Sequence, residues 1–302
     1  QAISLQAPVL CMRVTVLYSG HEPGGQLEEL DTVRQMEEIV DHLESLNHEV
    51  SKVPFNGCIG AVESSIKNLS PDCVFNLVES VQGTDRLLFT AGALLDYLGV
   101  PYTGCDTGAL LETSTKTGQK KKMRESGLPT PDFITSNGVR YFQSEEDGPF
   151  IVKSDSEHAS VGLDETCLVD SVLQTASKIR EKVDQCGGLW FAERFVEGRE
   201  FNISIIEDEE GEPQVLPPAE MTFQDYPPSM PKIVDYKAKW DETSFSYHAT
   251  VRNFRFDSGD DPLIKRLTDL CKASWRIFNL RGFARVDFRV DELGNPWILE
   301  VN

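Results

Sequence analysis

Four polar side chains alternate with apolar ones along the last two predicted strands. Arg285 and Asp287 lie two positions apart in one strand, and Glu300 and Asn302 lie two positions apart in the next. Because side chains two apart in a strand share a face, two carboxylates and an amide oxygen converge beside a guanidinium if the two faces coincide. Such oxygen ligands suit magnesium, which keeps several waters and binds substrate phosphates. An exposed polar face above an apolar core is the simpler alternative.

Lysines stand at two places where a phosphate could bind. Residues 149–153 form a predicted strand that ends in Lys153, and a loop of small and polar residues follows it to Gly162. A lysine ammonium and loop N–H groups can together hold a phosphate. Lys116 and Lys120 are one helical turn apart in a predicted helix. The alternatives are a surface turn for the first segment and a solvated helix face for the second.

Two weaker signals lie further along the chain. Glu193 and Glu200 flank a turn at 195–198, where a nucleotide could lie against strand edges. Lys239 lies in the segment 226–248, which is rich in proline, tyrosine and lysine and is predicted to be irregular. The sequence has no GxSxG, HExxH, GxGxxG or P-loop motif, which excludes the hydrolase and nucleotide-binding classes that those motifs define.

The elements that would position these residues alternate between strand and helix in the first third of the chain. This order predicts a parallel sheet covered on both faces, an α/β domain that ends near residue 107. A mixed α+β part follows. The predicted helices span 30–46, 60–69, 87–98, 107–126, 171–183 and 262–278, and the predicted strands span 14–18, 49–55, 73–78, 150–153, 190–196, 201–207, 214–220, 283–290 and 296–301.

Composition limits the classes of partner. The 302 residues include 49 acidic and 29 basic side chains, a formal net charge of −20, and 40% of the residues are hydrophobic. This length and apolar fraction predict two or three domains with packed cores. A strongly acidic chain repels phosphate backbones, so nucleic-acid binding is excluded and small molecules or cations are the expected partners.

Cysteine usage and hydropathy indicate the compartment. Seven cysteines are scattered singly without a CxxC pair, a pattern typical of a reducing compartment. No apolar run approaches the roughly 20 residues of a membrane span, and the N-terminus lacks the pattern of a signal peptide. We therefore predict a cytoplasmic protein with no membrane association. Met12 opens the first strand-like run, so we expect residues 1–11 to be upstream or vector-derived sequence.

From Met12 onwards the motifs of this sequence, taken in order, resemble those of the D-alanine–D-alanine ligase branch of the ATP-grasp superfamily. Several motifs in family order are far more specific than any one of them alone. The landmarks, besides Glu157 and the four polar residues of the last two strands, are Phe75-Asn76-Leu77-Val78-Glu79, Leu98-Gly99-Val100-Pro101-Tyr102-Thr103-Gly104, Gly127-Leu128-Pro129-Thr130-Pro131, Val152-Lys153, Ser160-Val161-Gly162 and Asp235-Tyr236-Lys237-Ala238-Lys239.

The resemblance implies a fold and a reaction. The fold is an ATP-grasp fold with a Rossmann-like pre-ATP-grasp domain at 12–107, a central ATP-grasp subdomain at 108–196 and a C-terminal one at 197–302. The reaction is ATP-dependent ligation, in which a carboxylate is phosphorylated and an amine attacks the acyl phosphate to form an amide. Phosphoryl transfer of this kind depends on positioning and charge neutralisation more than on covalent catalysis.

The resemblance also implies the role of each residue. The nucleotide phosphates would lie at Lys116 and Lys153, with Ser160 in the same cofactor site and Lys239 at the terminal phosphate. The ribose would lie near Glu200. Arg285 would stabilise the acyl phosphate and the tetrahedral intermediate. The residues along the adenine would be Glu193, Arg194, Phe195 and Val196, and the ligands of two magnesium ions, or of manganese in their place, would be Asp287, Glu300 and Asn302.

The substrate-recognition positions depart from the family pattern. Ligases that join two D-alanines have a glutamate near the first glycine turn, a serine in the phosphate-side loop and a tyrosine after the lysine that corresponds to Lys239. This chain has Ser19-Gly20-His21-Glu22-Pro23 at the turn, Ala159 at the serine and Trp240 at the tyrosine. His158 replaces a usual glycine and Ser154 a usual proline, and Glu79-Ser80 replaces a histidine–glycine pair.

These departures predict a dipeptide-forming ligase whose amino-acid-like substrates are not two D-alanines. Three alternatives remain open at this point: an authentic D-alanine–D-alanine ligase of cell-wall biosynthesis, a catalytically silent ATP-binding protein, and an enzyme that carboxylates with bicarbonate. The family continues past the last asparagine with a substrate loop and a closing helix, so we expect 302 residues to be a truncated length. Dimers are common in the family, so the resemblance makes a homodimer one candidate assembly, and the sequence leaves the oligomeric state open.

Overall fold

The computed structural model describes residues 11–20, 27–143 and 148–302. His21, Glu22 and Pro23 of the first glycine turn, and all but the last residue of the predicted upstream segment, lie outside the described residues. The chain divides into two compact units, Gln1–Thr107 and Gly108–Asn302. The further division of the second unit at residue 196 stays a prediction.

The first unit is built on a three-stranded parallel sheet in the order β2-β1-β3. Successive side chains of β1 point to opposite faces, so that Val16 packs with Met36 and Val40 of α1 while Leu17 packs with the cluster of α2 and α3. The sheet is therefore covered on both faces, as predicted. The elements are β1 (Arg13–Ser19), α1 (Leu27–Ser45), β2 (Glu49–Phe55), α2 (Ile59–Leu69), β3 (Cys73–Leu77) and α3 (Phe89–Leu98).

The second unit contains two antiparallel sheets. A five-stranded sheet has the order β5-β4-β8-β6-β7, and a six-stranded sheet has the order β12-β11-β9-β13-β14 with β10 paired to β9. The elements are α4 (Thr107–Thr113), which begins at the boundary of the units, α5 (Lys116–Glu125), β4 (Phe133–Ile134), β5 (Arg140–Tyr141), β6 (Phe150–Ser154), β7 (Leu168–Val169), α6 (Val172–Cys186), β8 (Trp190–Arg194), β9 (Arg199–Glu207), β10 (Pro213–Val215), β11 (Ala219–Phe223), α7 (Tyr236–Trp240), α8 (Phe245–Ala249), β12 (Thr250–Asn253), α9 (Asp261–Ile277), β13 (Phe283–Val290) and β14 (Pro296–Val301).

Apolar side chains fix each sheet of the second unit. Phe150 and Val152 of β6 pack with Trp190 of β8 and Ile179 of α6 in one buried cluster. In the six-stranded sheet the buried apolar residues alternate with polar ones, which leaves the polar positions of β9 and β13 on the opposite face. None of the helices among the described residues has both the length and the apolarity that a bilayer span requires.

Three predictions about secondary structure are wrong. The single strand predicted over 214–220 is β10 and β11, because Pro217 and Pro218 between them have no N–H to donate to a ladder. The single helix predicted over 107–126 is α4 and α5, because Thr115 adopts an extended conformation at the start of α5 and Ser114 Oγ donates a hydrogen bond back to Leu111 O. The segment 226–248, predicted to be irregular, contains α7 and α8. The side chains of Asp235 and Ser244 cap these short helices by accepting bonds from backbone N–H groups.

Gly198, in the turn between β8 and β9, has a conformation that excludes other residues. Its φ is +134°, and a Cβ atom there would lie 2.0 Å from Val290 O of β13. We expect Gly198→Ala to lower the free energy of unfolding by about 3 kcal/mol or more, because backbone has to move. Gly211→Ala is the matched control, since its φ is +83° and the nearest atom is 3.6 Å away. Urea unfolding should show a loss of only about 1 kcal/mol for the control; equal losses would contradict the steric account.

Candidate active site

The polar faces of β13 and β14 coincide. Asp287 lies opposite Glu300 in the ladder, and Arg285 and Asn302 exchange backbone hydrogen bonds of 2.8 Å. Arg285 Nε and Nη2 donate to Asp287 Oδ1 and Oδ2 at 2.8 and 2.9 Å, and Asn302 Nδ2 donates to Oδ2 at 3.1 Å. Asp287 is only 6% exposed, whereas Arg285 and Asn302 are exposed, so this face has a buried carboxylate beside side chains that reach the solvent.

The side-chain oxygens of this cluster are of the type that binds a hard cation. Asp287, Glu300 and Asn302 carry carboxylate and amide oxygens, the ligand type that magnesium prefers, and a bound ion would replace hydrogen bonds that Asp287 accepts from Arg285 and Asn302. Glu300 Oε2 is buried and lies 3.2 Å from Lys116 Nζ, in an ion pair whose geometry is not that of a hydrogen bond. Within the described ranges no three side chains of His, Cys, Asp or Glu form a metal-binding group. The assignment of Asp287, Glu300 and Asn302 as metal ligands stays a prediction.

Cations surround Glu300. Burial by itself raises the pKa of the Glu300 carboxyl, but the positive charge of Lys116, followed by those of His158, Lys153 and Lys239, outweighs burial and holds this pKa below its ordinary value. Lys116 Nζ also donates to Glu157 O at 2.9 Å. The structure therefore brings the predicted phosphate lysines and a predicted metal ligand into one electrostatic group.

Glu193 forms the centre of a buried charge network. Its side chain is 1% exposed, with Oε1 2.5 Å from Lys153 Nζ and Oε2 2.6 Å from Lys120 Nζ. Burial raises the pKa of Glu193, and the charges of Lys120 and Lys153 lower it by more, which leaves it below the ordinary value. Lys120 is fully buried and also donates to Thr130 Oγ1 at 2.9 Å. The Glu193 carboxylate thus holds Lys153 in place at the end of β6.

The other residues of the predicted adenine segment have separate contacts. Arg194 Nε lies 3.7 Å from Asp132 Oδ2, and its guanidinium stands 5.5 Å from the centre of the Phe150 ring. Phe195 N donates to Pro149 O at 2.9 Å. Val196 follows, half-buried, in the connection from β8 to β9. This extended segment runs beside β6.

Glu200 is held by an arginine that the motifs did not indicate. Arg289 Nε lies 3.1 Å from Glu200 Oε2, and the arginine also donates to Gly198 O and Lys232 O. Burial raises the pKa of Glu200, and the positive charge of Arg289 opposes that effect. Because Arg289 is 4% exposed, it is a buried structural cation that fixes Glu200 and the turn before it.

The loop after β6 is hydrogen-bonded to the segment that contains α7. Ser160 Oγ donates to Val234 O at 2.9 Å, and Trp240 Nε1 donates to Ala159 O at 2.9 Å. Lys239, which precedes Trp240 at the end of α7, is exposed. Two of the positions that depart from the family pattern, 159 and 240, are therefore in direct contact.

Several known proteins are similar to this chain over most of its length. The family described as D-ala D-ala ligase C-terminus matches residues 123–302. The chain belongs to the D-alanine–D-alanine ligase family. It is 28% identical over 295 residues to the D-alanine–D-alanine ligase of Aquifex aeolicus, which covers 96% of this chain and 89% of that one. It is 30% identical over 246 residues to that of Chromohalobacter salexigens, covering 79% and 69% respectively.

Solved structures show the same fold. The D-alanine–D-alanine ligase from Bacillus anthracis, complexed with ATP, superposes with a TM-score of 0.70 at 20% identity over 97% of this chain and 86% of that one. The resemblance and the ATP-grasp fold drawn from the motifs are confirmed. As a member of the D-alanine–D-alanine ligase family, the chain is an ATP-dependent ligase that forms a carbon–nitrogen bond.

Sequence reasoning missed two residues of this family member's site, Asn202 and Arg289, and did not identify the partner of Lys120. Asn202 Nδ2 donates to Asp287 Oδ1 at 2.7 Å, and Lys120 and Arg289 fix the carboxylates of Glu193 and Glu200. Asn202 and Arg289 could have been found by continuing the alternation from Glu200 to 202 and from Asp287 to 289. The one-turn spacing from Lys116 indicated Lys120, but not its partner Glu193, which lies on another element.

The ligase-family departures in the first unit have their own contacts. Ser19 Oγ, at the end of β1, accepts bonds of 3.0 Å from the backbone N–H groups of Glu79 and Ser80. These bonds hold the segment after β3 against the end of β1.

His158 gives the protein a predictable pH dependence. Burial lowers the pKa of the half-buried His158 imidazole from 6.5 to about 4, and the positive charge of Lys116 is the second largest cause of this decrease. The unfolded chain therefore binds more protons between these values, so the folded state loses stability as the pH falls through this window. As the pH falls from about 6.5 to about 4, we expect the free energy of unfolding to decrease less in His158→Asn than in the wild type. Urea titrations across this range would measure it, and parallel curves would contradict the assignment.

Proposed function

We propose that this chain joins two amino-acid-like substrates through an acyl phosphate, using ATP and magnesium, and that the pair is not two D-alanines. The observation that carries the proposal is the single electrostatic group formed by Arg285, Asp287 and Glu300 with Lys116 and Lys153. Such a group has the charges that phosphoryl transfer requires and lacks a covalent nucleophile.

The proposed first step is phosphoryl transfer. A carboxylate oxygen of the first substrate attacks the terminal phosphorus of ATP, and the bond from that phosphorus to the bridging oxygen of ADP breaks. Lys116 and Lys153 would neutralise the phosphates, and Lys239, exposed at the end of α7, would reach the terminal one. Asp287, Glu300 and Asn302 would hold magnesium, which neutralises phosphate charge when it is bound.

The proposed second step forms the amide. The amine nitrogen of the second substrate attacks the acyl carbon, the bond from that carbon to the phosphate oxygen breaks, and the nitrogen loses a proton as inorganic phosphate leaves. Arg285 would stabilise the negative charge that develops on the carbonyl oxygen. Two hydrogen bonds to Asp287 hold its guanidinium beside the proposed metal ligands.

The proposal about specificity rests on the loop after β6. Relatives named D-alanine–D-alanine ligase are the reason to keep two D-alanines as the second candidate. Ala159 has no side-chain hydroxyl, and Trp240 makes its bond to the main chain, so neither offers the serine and tyrosine hydroxyls of that recognition set. Ala159 and Trp240 therefore favour a different pair of substrates.

A substrate screen tests the proposal. The purified full-length protein would be offered ATP, magnesium and pairs of D- and L-amino acids, with phosphate release measured and products weighed by mass spectrometry. The proposal predicts stimulation and a dipeptide mass with a pair other than two D-alanines. Stimulation by D-alanine alone would instead identify an authentic D-alanine–D-alanine ligase. Absence of stimulation by any pair would indicate a silent ATP-binding protein.

A further inference from the structure

The loop at 157–162 is held to the rest of the second unit through its main-chain carbonyls. Glu157 O accepts from Lys116 of α5 at 2.9 Å, and Ala159 O accepts from Trp240 of α7 at 2.9 Å. Gly162 O accepts from Lys182 of α6 at 2.8 Å. Side chains of three different helices therefore fix one short loop, and none of these bonds depends on the side chain that the loop residue carries.

The middle of this loop is a strained turn. Val161 N donates to His158 O at 3.2 Å, and the two residues between them, Ala159 and Ser160, have φ of 58° and 60°. Two left-handed residues inside such a bond form a type I′ turn, a conformation that glycine and asparagine favour and that costs free energy for alanine and serine. The turn therefore needs external contacts to keep this shape.

Of these contacts, the hydrogen bond from Trp240 is the one best suited to keep the turn in this conformation. Lys116 is shared, because it also pairs with Glu300 and is one of the proposed phosphate lysines. The indole has one N–H, which donates to Ala159 O, and it has no acceptor that could be used elsewhere. Trp240 is also adjacent to Lys239 in α7, so a bond from the indole to the loop joins the loop to the segment that carries Lys239.

We propose that Trp240 is a positioning residue that holds the 157–162 loop closed through the main-chain carbonyl of Ala159. This inference rests on the proposed function, because the closed loop would shield the acyl phosphate from water. The same bond explains the two departures at 159 and 240 together. A donor that reaches the main chain needs no hydroxyl at 159, so alanine is sufficient there.

Hydrogen exchange tests the loop contact without reference to activity. In full-length Trp240→Phe an aromatic ring stays but is smaller and the N–H is lost, so we expect the loop amides of residues 157–163 to exchange roughly two- to tenfold faster, the effect of one hydrogen bond. Trp297→Phe is the matched control, since Trp297 Nε1 makes a bond of 3.0 Å to Asp291 Oδ2 in the β13–β14 turn. Equal loop exchange in both variants would overturn the proposal.

The coupling between ATP use and amide formation tests its consequence. With the pair that stimulates the wild type, Trp240→Phe should release severalfold more phosphate per amide formed, because water reaches the acyl phosphate, while Trp297→Phe keeps the wild-type ratio. An unchanged ratio in Trp240→Phe would overturn the shielding role. If the wild type forms no amide with any pair, the proposed function fails, and the exchange experiment still decides whether Trp240 holds the loop.

Discussion

Asp287→Asn and Glu300→Gln are each expected to reduce ATP turnover by roughly a hundred- to a thousandfold. Each substitution keeps the size of the side chain and removes one of the two negative charges that would hold magnesium against the phosphates. As asparagine, residue 287 keeps one acceptor for Arg285 Nε and Asn202, and its new N–H group replaces the acceptor of Arg285 Nη2 and Asn302. Steady-state phosphate release at saturating ATP and magnesium measures the effect.

The control for these variants lies in the same hairpin. Glu292 is exposed in the turn between β13 and β14, so Glu292→Gln removes an equal charge at a distance from the cluster and should keep wild-type turnover. Far-UV circular dichroism establishes that all three variants are folded. Full turnover in Asp287→Asn or Glu300→Gln would contradict the metal assignment.

Lys120→Met is expected to lower the free energy of unfolding by about 3 kcal/mol, at the low end of the range for breaking a buried ion pair. Glu193 Oε2 would lose its cation and Thr130 its donor, while Lys153 still neutralises part of the charge. Because Glu193 positions Lys153, we also expect a raised KM for ATP. Urea unfolding and steady-state kinetics measure the two effects.

Lys122→Met is the matched control on the same helix. Lys122 pairs with Glu112 where both side chains are partly exposed to water, and an exposed pair contributes about 1 kcal/mol or less. The difference between the two variants therefore isolates the effect of burial. If Lys120→Met were as stable as Lys122→Met, the network around Glu193 would not be the support that we infer.

Local periodicity made part of the site predictable. Arg285 and Asp287, like Glu300 and Asn302, are two apart in strands whose pairing follows from a short hairpin, so their convergence required only the alternation of side chains. The parallel sheet of the first unit was predictable for a similar reason, because strand–helix order and apolar runs are local properties.

Contacts between distant elements were not predictable in this way. Lys120 and Glu193 are separated by more than seventy positions, and nothing in the sequence of α5 shows that Lys120 is fully buried against Glu193 while Lys122 is only partly buried. The bond from Trp240 to Ala159 also joins two segments whose approach depends on the whole unit. The break between α4 and α5 depends on the backbone conformation of Thr115, which helical periodicity does not reveal.

The acyl phosphate is the central claim, and an isotope transfer tests it most directly. The first amino acid would carry ¹⁸O in its carboxylate, and the inorganic phosphate formed with the pair that best stimulates turnover would be analysed by mass spectrometry. We predict that each phosphate gains one ¹⁸O from the substrate carboxylate and that the amide keeps the other. Amide formation with unlabelled phosphate would contradict the account.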